Sequence, residues 1–283
     1  MSSVLFDAPG PQALRRQRIA SVVTIVVLVV LGALALWKLQ VEGQLAAGVW
    51  EVFVTPAYME ALLEGAVTTL TVAAVAIVLS IVFGAVFAVG RLSERFWVRW
   101  PSTLVVEFFR AVPLLMMILA IYLIYGDLLG KFWALVAGLV LYNGSVLAEV
   151  FRAGVLAVPS GQSEAAYGIG LRRGQVMRMV LLPQAVRIML PAIISQSVVA
   201  LKDTSLGFIL PFEELTKTGQ AIAIEFSNYL PTALVLAAMF ITINWSLSRV
   251  AVWLEARLSR NTTAAAPAGG LAVGAAGGGG GGA

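Results

Sequence analysis

The stretch AVTTLTVAAVAIVLSIVFGAVFAV, residues Ala66–Val89, decides the fold class, because no charged residue interrupts it. About 20 apolar residues in helical form span the hydrocarbon core of a bilayer. Barrel strands would show a period-two alternation that this stretch lacks. Five further apolar stretches have similar length: Ile19–Leu39, Thr103–Tyr125, Phe132–Leu156, Ile188–Leu210 and Tyr229–Leu254. We therefore expect an all-α integral membrane protein with about six transmembrane helices, the third and fourth joined as a tight hairpin.

The composition supports this class and excludes several chemistries. Hydrophobic residues make up 60% of the 283 residues and charged residues only 12%, too few to cover the surface of a soluble domain. The sequence contains no cysteine and no histidine, which removes disulfides, thiolate metal sites, cysteine nucleophiles and the commonest proton shuttle. Since no cluster of carboxylates lies in the middle of a predicted span, a membrane enzyme is disfavoured.

The distribution of basic residues predicts the orientation of the spans. Arginines fall on one side of the predicted membrane, at Arg15, Arg16, Arg18, Arg91, Arg95, Arg99, Arg152, Arg172, Arg173, Arg178, Arg187, Arg257 and Arg260. The opposite loops carry only Lys38, Lys131 and Lys217 as cations and hold many of the acidic residues. Because basic flanks stay in the cytoplasm, both termini are predicted inside. Arginines spread as short flanks also argue against nucleic-acid binding, despite the net charge of +4.

The two ends of the chain differ in character. Residues 1–18 form a cytoplasmic leader, and residues 19–39 are predicted as a retained transmembrane helix. Their apolar run is longer than the core of a cleaved signal peptide, although the small residues Ala46, Ala47 and Gly48 leave that alternative open. Residues 261–283 are rich in alanine and glycine, and such a tail is predicted to be a disordered cytoplasmic extension.

The most informative polar segment is the loop of residues 158–186 between the fourth and fifth spans. It reads VPSGQSEAAYGIGLRRGQVMRMVLLPQAV. Its residues favour two short helices, with a turn at Gly168 and Gly170 and a helix end near Pro183. By composition alone, the segment is an interfacial helix pair whose arginines meet anionic headgroups.

The spacing within this loop points to a more specific role. Glu164-Ala165-Ala166 is followed after three residues by Gly170, and after nine more by Val180-x-Leu182-Pro183. This pattern resembles the EAA loop of permeases of ATP-binding-cassette (ABC) importers, except that valine replaces the usual isoleucine at position 180. The likeness is strongest to the type I permeases for polar amino acids. Supporting phrases are GAVTTLT at 65–71, EFFRAVPLL at 107–115, EVFRAG at 149–154, PSGQ at 159–162 and KDTSL at 202–206. Shorter phrases at 7–11, 44–47 and 142–145 are similar to actinobacterial glutamate-importer permeases.

This resemblance implies a five-helix permease domain over residues 60–258 and a definite set of partners. A second permease subunit would complete the pore, either a copy of this chain or a sister chain, with the sister chain favoured. The EAA loop would form a coupling helix docked on one of two cytoplasmic ATPase subunits, using Glu164, Ala165, Ala166, Tyr167, Gly170, Leu171 and Pro183. Tyr167 and Leu171 could instead pack onto the permease itself. An extracytoplasmic binding protein would deliver the amino acid, with glutamate favoured over glutamine and aspartate.

The chain itself is expected to bind no cofactor. It lacks the G-x-x-x-x-G-K-[ST] loop that cradles ATP phosphates, so ATP and Mg²⁺ are assigned to the separate ATPase. A secondary carrier would show broken helices in paired halves, and a channel would need a filter-like motif. Neither pattern is evident in the sequence.

Polar side chains inside the predicted spans are the candidates for the substrate path, because such groups are costly in lipid. They are Asn143, Ser145, Gln196, Lys202, Asp203, Thr204 and Ser205. Interhelical hydrogen bonding is the alternative role for the amides and hydroxyls, and structural ion pairing is the alternative for Lys202 and Asp203. Two pairs with i,i+3 spacing, Glu107 with Arg110 and Glu149 with Arg152, are predicted to staple helices together. Acidic residues of the outer loops are predicted to be solvated.

Overall fold

The computed structural model describes residues 10–263, and every regular element in that range is helical. Of the predicted disordered tail, residues 261–263 continue the last helix, whereas residues 264–283 lie outside the described residues, as do residues 1–9 of the predicted leader. The long helices are α1 (Pro11–Val41), α2 (Pro56–Arg91), α3 (Phe96–Ala111), α4 (Leu114–Leu156), α7 (Leu182–Asp203) and α9 (Tyr229–Thr263). The shorter ones are α5 (Ser160–Gly168), α6 (Arg173–Gln175) and α8 (Leu215–Phe226), with a π-helical turn at Val176–Leu181 and 3₁₀ turns at Ala47–Val49, Glu51–Val54 and Thr204–Ile209.

Five helical stretches of the described chain are long and apolar enough to cross a membrane. They are Pro11–Val41, Pro56–Arg91, Leu114–Leu156, Arg173–Ile209 and Tyr229–Val250. The predicted all-α membrane fold is therefore confirmed. The first helix begins at Pro11, so part of the predicted leader is helical. The number of crossings remains a prediction, because α4 reverses direction within itself.

The reversal occurs at Gly130, whose φ of 77° and ψ of 163° are not helical. In a straight helix Ile118 and Gly138 would lie about 30 Å apart. A Cβ added at Gly138 would instead lie 2.7 Å from Cγ1 of Ile118, so the two halves of α4 pack side by side. This confirms the predicted hairpin, whose turn is at Gly130, between the two predicted spans, where only glycine readily adopts the positive φ.

Two predicted helix boundaries were wrong, and proline explains both. The third span was predicted as one segment, but α3 ends at Ala111 and Val112 is extended, with φ −79° and ψ 129°, since the residue before proline avoids helical geometry. Pro183 was predicted to end a helix. It lies instead in the first turn of α7, where its missing N–H costs nothing, and the preceding π-helical turn carries the chain into it.

The described chain forms two compact units. One comprises the chain up to Thr71 with Ser205–Phe240, and the other comprises Val72–Thr204 with the chain from Ile241. In the first unit, α8 lies so close to α2 that a Cβ at Gly65 would be 3.0 Å from the Cα of Leu215. In the second, small residues allow similar approaches, since a Cβ at Gly84 would be 3.0 Å from the carbonyl oxygen of Gly144. Its buried apolar cluster consists of Ala88, Leu147, Phe151, Val155, Val158, Ala185 and Met189.

Candidate functional site

The coupling segment predicted from the EAA pattern is a two-turn helix with a defined stop. Helix α5 ends in a Schellman motif, in which the N–H of Leu171 donates to the carbonyl of Ala166 and the N–H of Gly170 donates to the carbonyl of Tyr167. Gly170 occupies the left-handed position of this motif with φ 84°. The glycine of the EAA pattern is thus a helix stop, and the chain turns sharply after it.

The outer surface of α5 carries both polar and apolar groups. Glu164 and Ala165 are exposed, Tyr167 is 49% exposed, and Ile169 at the turn is 79% exposed. Ala166 is buried within this chain, and Ala165 is the alanine of the pair that is left exposed. Leu171 is partly buried. A large exposed aliphatic side chain at the end of a short helix is suited to insertion into a cleft of another protein.

Contacts on both sides of α5 attach it to its own unit. The side-chain amide of Gln184 donates to that of Gln162 at 3.4 Å, which joins the start of α5 to α7. Arg173, just after the turn, forms an ion pair with Glu94 in the α2–α3 loop. Val158 and Ala185 belong to the buried cluster at the base of the loop. Movement of α5 would therefore pull on α2, α4 and α7 together.

A network of charges joins the ends of α2, α3 and α4 beside this loop. An N–H of the Arg91 guanidinium donates to Oε1 of Glu107 at 3.0 Å, and its other terminal nitrogen lies 3.0 Å from Oε2 of Glu149. The predicted staples are confirmed as pairs, Glu149 with Arg152 at 2.6 Å and Glu107 with Arg110 at 3.5 Å. Only 9% of the Arg91 side chain is exposed. This arginine was predicted to be no more than a cytoplasmic flank, and it connects three helices.

A second polar cluster lies between α4 and α7. The Gln196 amide donates to Oδ1 of Asn143 at 2.7 Å, and the Asn143 amide donates to the Leu139 carbonyl and, at 3.4 Å, to Oδ2 of Asp203. Gln196 and Asp203 are seven residues apart on α7 and so share a face. The structure brings three of the predicted path residues together through Asn143, which is fully buried.

The remaining predicted path residues are not part of this cluster. The hydroxyls of Ser145 and Thr204 are buried and donate to the carbonyls of Leu141 and Leu201 in their own segments. Each hydroxyl therefore has a backbone acceptor in its own segment. Lys202 is exposed at the end of α7, and Ser205 is half-buried in the following turn.

The loop before α8 contains a buried carboxylate, which corrects the prediction that its acidic residues are solvated. Glu214 is 1% exposed and caps α8, accepting the backbone N–H groups of Lys217 at 2.7 Å and Thr216 at 2.9 Å. The hydroxyl of Thr69 donates to Oε2 of Glu214 at 3.4 Å and accepts the N–H of Leu215. Burial raises the pKa of Glu214, and these hydrogen bonds oppose that rise.

Three important residues were missed from sequence. Ile169 lies between Gly168 and Gly170 and could have been recognised as an apolar residue in a polar turn. Arg91 gave no signal, because its partners are 16 and 58 positions away. The signal for Glu214 was its place two residues before a threonine and just before an amphipathic run, a helix-start pattern.

Comparison with known proteins decides the family. Residues 76–260 match the model for the inner membrane component of binding-protein-dependent transport systems. The chain belongs to this family. It is therefore a multi-pass cell-membrane protein and a transporter permease subunit, not an enzyme.

Relatives of this permease include amino-acid transporters. It is 38% identical over 224 residues to the glutamate transport system permease protein GluD of Corynebacterium glutamicum, an alignment covering 77% of this chain and 82% of GluD. It is 31% identical over 207 residues to the glutamate/aspartate import permease protein GltK of Escherichia coli, covering 69% and 92% of the two chains.

Solved structures agree with the fold. A chain of an amino acid ABC transporter crystallised with histidines superposes with a TM-score of 0.67 at 27% identity, covering 71% of the permease and 95% of that chain. A chain of the inward-facing methionine transporter MetNI gives a TM-score of 0.63 at 17% identity, covering 72% and 99%, and supports the fold alone. The type I ABC permease architecture predicted from sequence is confirmed.

Proposed function

We propose that this chain is the membrane-spanning permease of an ATP-driven importer of acidic or amide amino acids, with glutamate preferred to glutamine and aspartate. The proposed coupling of this permease to an ATPase rests on α5. This exposed helix ends at a glycine and is attached to three other helices of its unit. The substrate class is supported by relatives named for glutamate and for glutamate and aspartate.

The partners follow from what the chain has and lacks. Ile169 and Tyr167 offer apolar side chains, and Glu164 a carboxylate, to a cleft on a cytoplasmic ATPase. A symmetric pore would bring two such loops to two ATPase subunits, with a second permease as the partner in the membrane. ATP and Mg²⁺ would bind the ATPase, and a binding protein would deliver the amino acid from outside.

The substrate path is proposed to pass the cluster of Asn143, Gln196 and Asp203, with Lys202 meeting the substrate carboxylate. A desolvated carboxylate requires a charge-assisted donor. In Lys202→Met, glutamate uptake should be lost while the ATPase still co-purifies, and Lys202→Arg should change the apparent affinity only. Loss of the assembled complex in Lys202→Met would make the residue structural, and normal glutamate uptake would remove it from the path.

A substrate panel tests the proposal. The chain is co-expressed with its ATPase, sister permease and binding protein, and uptake of labelled glutamate is competed with unlabelled glutamate, glutamine, aspartate and arginine. We expect glutamate to compete best and arginine not at all. Strong competition by arginine with none by glutamate would contradict the substrate class while leaving ATP-driven import intact.

A further inference from the structure

The carboxyl-terminal half of α9 carries an exposed stripe of alternating tryptophan and arginine. Trp245, Arg249, Trp253 and Arg257 follow one another at intervals of four residues, and we call them the Trp–Arg stripe. Each four-residue step turns about 40° beyond one full turn, so the four side chains follow one side of the helix. Trp245 is 59% exposed and Trp253 54% exposed, so large aromatic surface is left uncovered.

The arginines of the stripe are stacked on its rings. The guanidinium carbon of Arg249 lies 5.1 Å from the ring centroid of Trp245, and that of Arg257 lies 4.4 Å from the centroid of Trp253. This geometry is a cation–π contact, which leaves the N–H edges of a guanidinium available for an anion. Among the side chains that the structure describes, neither guanidinium contacts a carboxylate.

The stripe lies near the level at which α9 would leave the hydrocarbon core. Counted from Tyr229, the roughly 20 residues that cross this core end near Arg249, whereas α9 continues to Thr263. Helical side chains lean towards the amino terminus, and both arginines reach back over the residue four positions earlier. One guanidinium is therefore drawn to the inner side of the span's end, and the other lies just beyond it. The two positive charges would therefore lie on either side of the boundary of the hydrocarbon core.

We propose that the Trp–Arg stripe binds the phosphate headgroups of anionic phospholipids at the membrane face towards which the end of α9 projects. Tryptophan prefers the membrane–water interface, and arginine pairs with phosphate through two parallel N–H donors. A polar protein partner would not require the two exposed indole rings at the boundary of a span. The site concerns lipid recognition and is independent of the transported substrate.

Lipid titration of the purified complex in detergent tests this assignment. The thermal midpoint is followed while dioleoylphosphatidylglycerol or dioleoylphosphatidylcholine is added, and native mass spectrometry counts the lipids retained. We expect phosphatidylglycerol to stabilise the wild type more than phosphatidylcholine. The double variant Arg249→Gln with Arg257→Gln should weaken the apparent affinity for phosphatidylglycerol by roughly fivefold per arginine and leave phosphatidylcholine unchanged.

Matched variants separate the stripe from general charge. Arg15 and Arg16 lie exposed at the start of α1, so Arg15→Gln with Arg16→Gln removes the same charge at the end of another span. This control should change phosphatidylglycerol affinity far less than the stripe variant does. Equal losses in both double variants, equal stabilisation by the two lipids, or the same effect from inorganic phosphate would each overturn the proposal. Unchanged lipid affinity with loss of the co-purified ATPase would assign the stripe to a protein contact and overturn it too.

Discussion

Substitution of Gly170 gives the sharpest test of the coupling segment, because its cost can be derived from the backbone alone. A Cβ at Gly170 would meet no atom within 4 Å, but φ is 84°, a conformation that L-residues adopt at a cost of about 1–2 kcal/mol. Gly170→Ala should therefore destabilise the Schellman motif that ends α5. The equilibrium should shift roughly 5- to 30-fold from this motif towards conformations in which the end of α5 is displaced. We expect ATP hydrolysis to lose most of its stimulation by loaded binding protein, and ATP-driven uptake to fall several-fold.

Two matched variants isolate the backbone effect. A Cβ at Gly161 in the same helix also meets no atom within 4 Å, and its φ is not positive, so Gly161→Ala should couple normally. Asparagine tolerates the left-handed region, so Gly170→Asn should lose less coupling than Gly170→Ala. The measurement is the ratio of stimulated to basal ATP hydrolysis in proteoliposomes. Equal coupling in Gly170→Ala and Gly161→Ala would refute the reasoning.

The remaining predictions concern topology, the charge network and the buried carboxylate. Because the chain has no native cysteine, single cysteines at Ser160 and Ala46 report orientation: in intact cells an impermeant thiol reagent should label the second and not the first. The opposite labelling would reverse the assigned topology. Arg91→Met should lower the free energy of unfolding by about 1–3 kcal/mol, because two carboxylates lose a charged donor, whereas Arg110→Met should cost no more than about 1 kcal/mol. Thermal unfolding of the purified complex checks both, and equal effects would remove the special role of Arg91. Burial raises the pKa of Glu214, so the folded chain holds that proton more tightly than the unfolded chain. Relative to Glu214→Gln, the wild type should gain stability as the pH falls through the raised pKa towards the ordinary pKa of glutamate. A thermal-midpoint difference that does not vary with pH would contradict this.

Local sequence determines much of this fold. Long uncharged runs such as Ala66–Val89 must bury their backbone polar groups within a helix when surrounded by lipid, so α2 could be predicted from composition. The turn at Gly170 could be predicted because a glycine between two helical patterns favours a stop. The hairpin within α4 followed from a short polar stretch between two apolar runs, although its exact turn at Gly130 did not.

The rest depends on which segments meet in space. Arg91 was predicted to be a flank, because nothing in its neighbourhood shows that Glu107 and Glu149 converge on it. The burial of Ala166 depends on packing of α5 against its own unit, which a motif does not contain. The break at Val112 was a local signal that the hydropathy of the surrounding span concealed, since Pro113 follows it directly. Glu214 was misjudged because its charge suggested a solvated loop, whereas backbone N–H groups of α8 satisfy it.

The most direct test of the central claim measures what drives transport. Proteoliposomes containing the full complex are loaded so that ATP is present on the ATPase side, and uptake of labelled glutamate delivered by the binding protein is followed with ionophores that collapse all ion gradients. We predict uptake that continues with the gradients collapsed and stops when ATP is replaced by a non-hydrolysable analogue. Uptake that persists without hydrolysable ATP and disappears with the ion gradient would identify a secondary carrier and contradict the proposed function.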